Sequence, residues 1–166
     1  MPLTLVKRIG DDTLGKLEQA ARRRYAEAER LILDEPLGAV YLFGYTIEIR
    51  LKASYYRLAG LVTASRLAGY RTAAEAQIRG FGLGHGPAGH DLLGWAKLLE
   101  DKRATMPAPG PLAPAVLNEM NDHVKNVSLC WAEILRYRAN KPYNEELMVV
   151  RAAAEWFKRH YRRLWS

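Results

Sequence analysis

Apolar residues recur at helical spacing along almost the whole chain, and no segment alternates with period two between hairpin-type turns. That pattern excludes a sheet-built core and predicts an all-α protein. Leu14, Leu17, Ala21, Tyr25, Ala28 and Ile32 form a first stripe, with Asp11 or Asp12 available as N-cap. Pro36 opens a second helix, since proline is favoured at the first helical position, and that helix runs to about Leu58. Thr72 followed by Glu75 predicts a capping box for a short helix. Residues 80–91 hold five glycines and one proline and read as a loop, closed by Asp91 as the cap of a helix from Leu92 to about Lys102. A proline-rich connection over residues 104–113 follows. Then comes a helix with Val116, Met120, Val124, Val127, Trp131, Ile134 and Arg138 on one face, ending before Pro142. A last helix starts at Asn144 and presents Leu147, Val150, Ala154, Phe157 and Tyr161. The expected architecture is one domain over residues 1–166, a bundle of four long helices with short ones inserted. Residues 1–10 are expected to form a loose N-terminal arm.

Composition narrows the class further. With 49% hydrophobic residues the chain can offset its ordering entropy, so it is not a disordered segment. Its single cysteine, Cys130, excludes a disulfide scaffold. The uncharged stretch from Pro36 to Ile47 is too short to span a bilayer, and the first residues resemble no signal peptide, so the expected location is the cytoplasm, away from membranes. The 25 Lys and Arg residues against 18 Asp and Glu give a net charge of +7. Six basic residues and one acid lie between Arg50 and Arg79. Such an excess suits contact with phosphate and equally suits an ordinary solvated surface.

Four local patterns are candidates for chemistry. Residues 84–89 match G-x-G-x-x-G, but no strand precedes them, so they read as a flexible loop. His85, His90 and Asp91 lack the ligand count of a structural zinc site, and no metal or cofactor is expected. Asp91 is better explained as a helix cap with His90 packed beside it. Glu48 and Lys52 are four apart on one helix face and form a partly buried ion pair within a structural polar network. Finally, Arg136, Arg138, Asn140, Lys141 and Tyr143 crowd the turn between the last two helices. Arg138 falls on the apolar register there and would need an acceptor such as Glu48.

Gly44-Tyr45-Thr46-Ile47-Glu48-Ile49-Arg50-Leu51-Lys52-Ala53 is similar to the G-[YF]-x-x-E-x-x-[LI]-K-A signature of HEPN domains (higher eukaryote and prokaryote nucleotide-binding). Gly89-His90-Asp91-Leu92 resembles their G-H-[DN]-L, and Arg136 and Arg138 sit where that family has its arginine turn. The resemblance implies an up-and-down helical bundle that forms homodimers. Some such proteins are metal-independent ribonucleases, including toxins with antitoxin partners; others bind nucleotides or accompany nucleotidyltransferases. Catalytic members resemble one another in R-x4–6-H. Here Tyr143 stands where the histidine would follow Arg138, and His160 is roughly 25 Å further along an ideal helix.

The leading expectation is therefore a non-catalytic module that binds nucleotide or RNA phosphate at an inter-protomer cleft. Arg138 would be its main anion contact, Asn140 and Tyr143 would orient or stack on a base, and Arg136 and Lys141 would add rim charge. A divergent endoribonuclease using Arg138 and Tyr143 is the enzymatic alternative. A helical scaffold for a nucleotidyltransferase partner, with Glu48, Lys52 and Arg138 knitting its interior, is the third.

Overall fold

The computed structural model describes residues 12–84, 86–132, 135 and 141–166. These form six α-helices: α1 (Leu14–Leu31), α2 (Pro36–Leu58), α3 (Ala68–Phe81), α4 (Leu92–Ala104), α5 (Pro114–Cys130) and α6 (Asn144–His160). Short 3-10 turns at Ala88–His90 and Tyr161–Leu164 lead into α4 and extend α6. Among the described residues there is no strand, so the all-helical expectation holds.

The arrangement follows from where each helix is apolar. Side chains on every side of α2 are buried, among them Ala39, Val40, Phe43, Ile47, Ile49, Leu51, Ala53 and Tyr56. A helix buried all round belongs at the centre of its fold. The short Ile32–Glu35 connection forces α1 to run back along α2, and the two pack most extensively; α6 and α4 cover other sides of α2. Outer helices carry one apolar stripe each. Leu14, Ala21 and Ala28 of α1 are fully buried, as are Val150, Ala154 and Phe157 of α6. Trp95 and Leu99 of α4 and Met120 and Val127 of α5 complete the core. Burying a Leu, Phe or Met side chain contributes about 1.5–3 kcal/mol each, so this central layer dominates stability.

Several expected boundaries change. The α1 cap is Thr13, whose hydroxyl accepts from the Lys16 N–H at 3.4 Å, and not Asp12. The carbonyl of Asp12 instead accepts from the Leu67 N–H at 3.2 Å, tying this end to the loop before α3. That loop also satisfies the first α1 amides, with Leu14 N–H on Ser65 O at 3.0 Å and Gly15 N–H on Thr63 O at 2.9 Å. Thr72 caps nothing: α3 begins at Ala68, and the Thr72 hydroxyl donates back to the Ala68 carbonyl at 3.2 Å. The helix is longer at its other end too, running to Phe81 before Gly82 turns it with φ +63°. The expected 80–91 loop is thus shortened and contains a 3-10 turn.

The largest correction concerns α5, which stops at Cys130 well before Pro142. Trp131 is buried as its stripe predicts, but in extended backbone at φ −127°, ψ 132°, because its indole docks onto α2. With six helices of 13 to 23 residues, α3 and α4 are full elements, not short insertions between four long ones. No helix is long and apolar enough to cross a membrane among the described residues.

Candidate functional site

The glycine in the α2 signature has a steric cause. The Trp131 ring lies directly on Gly44, so a Cβ there would sit 2.1 Å from its Nε1 and 2.2 Å from its Cδ1. The indole N–H donates to the Tyr41 carbonyl at 3.0 Å. Tyr45, one position on, meets Trp131 edge-on at 5.6 Å and His90 at 5.8 Å. Helix α2 thus binds the segment after α5 on one flank and the 3-10 turn before α4 on the other.

One turn further, Glu48 is 2% exposed and charged, which requires partners. It has them. Lys52 donates to Oε1 at 2.5 Å, and His90 Nδ1 lies 2.9 Å from Oε2. Facing a carboxylate, the imidazole carries its proton on Nδ1. Lys52 is further held 5.4 Å above the Trp95 ring. The expected Glu48–Lys52 pair is therefore present, with His90 as a third member. Asp91 has the expected capping role, its Oδ1 accepting from the Gly94 N–H at 2.9 Å. Its carboxylate is wedged between two glycines. A Cβ at Gly84 would be 2.3 Å from Asp91 Cγ, and one at Gly94 would be 2.6 Å from Oδ2. Gly84, the first glycine of the fingerprint-like match, is thus explained by packing. Among the described residues no group of three or more His, Cys, Asp or Glu side chains is placed to hold a metal.

On the other side of Trp131 a groove of about 430 Å³ opens between the start of α2, the end of α5 and the start of α6. Leu37, Val40 and Trp131 line it, and Lys141, Tyr143 and Glu146 border it. Lys141 is exposed, and Tyr143 is 75% exposed. The Glu146 carboxylate reaches back to the Tyr143 N–H at 2.7 Å, fixing the entry to α6. Burial pushes the thiol of Cys130, also in the lining, above its ordinary pKa, so it is a poor nucleophile there. Of the five residues expected at this turn, Lys141 and Tyr143 meet on the groove. Arg136, Arg138 and Asn140 lie outside the described residues.

The basic excess between Arg50 and Arg79 does not converge on this groove. Lys52 is engaged by Glu48, Arg57 forms a two-pronged pair with Glu18 at 2.9 Å per bond, and Arg71 is 3.9 Å from Glu75. Arg50 lies under the ring of Tyr161 near the far end of α2. At the end of α6, Lys158 and Arg159 both flank Glu155. Local acids absorb much of the charge. Sequence reasoning missed the roles of Trp131 and Arg50; a glycine inside the most buried helix was the available signal for a close approach to α2.

No protein-family model, curated protein or solved structure matches the chain.

Proposed function

We propose that this protein is a non-catalytic, HEPN-like binding module that takes a nucleotide or an RNA phosphate in the groove at the start of α2 and α6. The observation that supports this best is an exposed cation and an exposed aromatic, Lys141 and Tyr143, on one groove whose lining mixes Leu37, Val40 and Trp131 with polar groups. Its volume falls in the ~300–1,000 Å³ range of small-ligand sites. Lys141 contacts phosphate and Tyr143 stacks on a base, an interaction every base can make, so base preference is weak. Arg136, Arg138 and Asn140 belong to the same reading through the resemblance, as do a second copy of the chain completing the cleft and a nucleotidyltransferase or antitoxin partner.

Fluorescence anisotropy with a short single-stranded RNA and with a labelled nucleoside monophosphate tests it. Tyr143→Ala is expected to weaken RNA binding by about 5- to 100-fold, the equivalent of one lost stack. Lys141→Ala is expected to lower the salt dependence by about one ion. Affinity unchanged in both variants would reject the groove as the site.

One observation favours a second reading, a metal-independent ribonuclease. His90 is oriented by a buried carboxylate, the arrangement of a general acid or base. RNA cleavage in EDTA that disappears in His90→Asn would support it; intact RNA after long incubation with the wild type would dismiss it.

A further inference from the structure

Helices α1 and α6 both lie on α2 and run antiparallel, joined by side chains: Glu29 meets Arg151, Tyr25 meets Glu155, and Glu18 meets Tyr161. On α1, Glu18, Arg22, Tyr25 and Glu29 recur at i, i+4, i+7 and i+11 and so share one edge of the helix. Arg151, Glu155, Lys158 and Arg162 repeat that spacing along α6 and its 3-10 extension, each following a buried residue by one. Two matching edges thus face each other across a seam.

Over most of the seam the partners are complementary. Arg151 forks onto Glu29 at 3.0 and 2.9 Å, and the Tyr25 hydroxyl donates to Glu155 while Lys158 sits 4.3 Å above the Tyr25 ring. The pattern breaks at the two remaining positions. Register places Arg22 and Arg162 between the Tyr25–Lys158 contact and the Glu18–Tyr161 contact, and both residues are exposed. Among the described residues neither has a carboxylate at ion-pair distance. Glu18 is engaged by Arg57 at 2.9 Å, and Glu155 is shared by Arg159 at 2.8 Å and Lys158 at 3.7 Å. Two like charges facing each other repel, and an anion between them turns that repulsion into attraction. None of the exposed large apolar side chains belongs to either edge, so the patch lacks what enters a lipid surface or the core of a protein interface.

We propose that this end of the α1–α6 seam carries the backbone of a single RNA strand, with one phosphate held between Arg22 and Arg162 and the next against Lys158 and Arg159. The guanidinium fork matches two phosphate oxygens. The choice of RNA rests on the function proposed above, but the seam is a different surface from the groove. The groove lies at the start of α6 and the seam cations at its end, roughly 25 Å apart along the helix axis.

Fluorescence anisotropy with a labelled oligouridylate of about 12 nucleotides, over about 50–200 mM salt, is the test. In Arg22→Ala/Arg162→Ala the slope of log affinity against log salt is expected to fall by about 0.7, the value for one phosphate of a single strand, and low-salt affinity by about 10- to 30-fold. Removing the same charge elsewhere, by Arg79→Ala/Lys97→Ala, is expected to change affinity by less than about twofold. Arg22→Glu gives Arg162 a carboxylate and is expected to raise the melting temperature while weakening RNA binding at least as much as the alanine pair, which separates lost binding from lost folding. Nucleoside monophosphate binding, which reads the groove alone, is expected to be unchanged in the seam variants, and the seam effect is expected to persist in a Lys141→Ala background. A failed groove therefore shows in the monophosphate arm and a failed seam in the salt slope. No RNA binding, RNA affinity unchanged in the Arg22/Arg162 variant, an equal loss in the Arg79/Lys97 control, or tighter binding to phosphatidylserine vesicles than to RNA would overturn the proposal.

Discussion

Replacing Gly44 by alanine sets two effects of opposite sign against each other. Alanine in place of an interior helical glycine is worth about 1 kcal/mol of added stability from helix propensity alone. The added Cβ, however, would lie 2.1 to 2.3 Å from three atoms of the Trp131 indole, a rigid ring that cannot bend away locally. Trp131 must move as a unit. It then loses its hydrogen bond to the Tyr41 carbonyl, about 1 kcal/mol, and its edge contact with Tyr45, about another 1. Repacking strain adds about 1–3 kcal/mol. The net expectation is a loss of about 3 kcal/mol, or roughly 6–12 °C in melting temperature for a chain of this size. Urea denaturation followed by circular dichroism measures it. In a Trp131→Ala background the clash is gone, and Gly44→Ala is expected to stabilise by about 1 kcal/mol. If Gly44→Ala stabilises the otherwise unaltered protein, the docking of Trp131 on α2 is refuted.

Three further outcomes follow from buried polar groups. Glu48→Gln leaves Lys52 largely buried without its carboxylate, and chemical denaturation is expected to show a loss of about 3 kcal/mol; no loss would mean the triad with His90 is not formed. Tyr56 is 1% exposed and its hydroxyl has no hydrogen-bond partner among the described residues, so Tyr56→Phe is expected to melt at the same temperature or a few degrees higher, whereas a loss above about 1 kcal/mol would reveal a hydrogen bond. For Glu18, burial alone would raise the carboxyl pKa, but the hydrogen bonds from Arg57 and Tyr161 outweigh it and hold the group below its ordinary 4.5. Its contribution is therefore fully present above pH 4.5 and lost as pH falls through the lowered folded value. Glu18→Gln is expected to flatten this acid limb in melts between pH 6 and 3; an unchanged limb would contradict the pairing.

The apolar stripes of α1, α5 and α6 were legible because each helix has one buried face, and period alone identifies such a face. Pro36 and Asp91 marked true helix starts, since their effects are local. Thr13 and Thr72 show where local chemistry yields to tertiary contact: the loop at Thr63–Leu67 sets both nearby helix starts through backbone bonds invisible in sequence. Trp131 lay on the correct stripe but left the helix, because docking on Gly44 decides its backbone. Spacing of four made Glu48 and Lys52 a readable pair, while His90 joins them from 42 residues away. Arg50 was legible only as one charge in a run. Its burial beneath Tyr161 depends on how the end of α6 returns over α2, which no local pattern encodes.

Chemical-shift mapping with an unlabelled nucleoside monophosphate tests the groove reading most directly. Binding at the groove predicts saturable shifts concentrated at Leu37, Val40, Leu129–Ala132 and Lys141–Glu146. No shifts, or shifts confined to residues away from the groove, would contradict it.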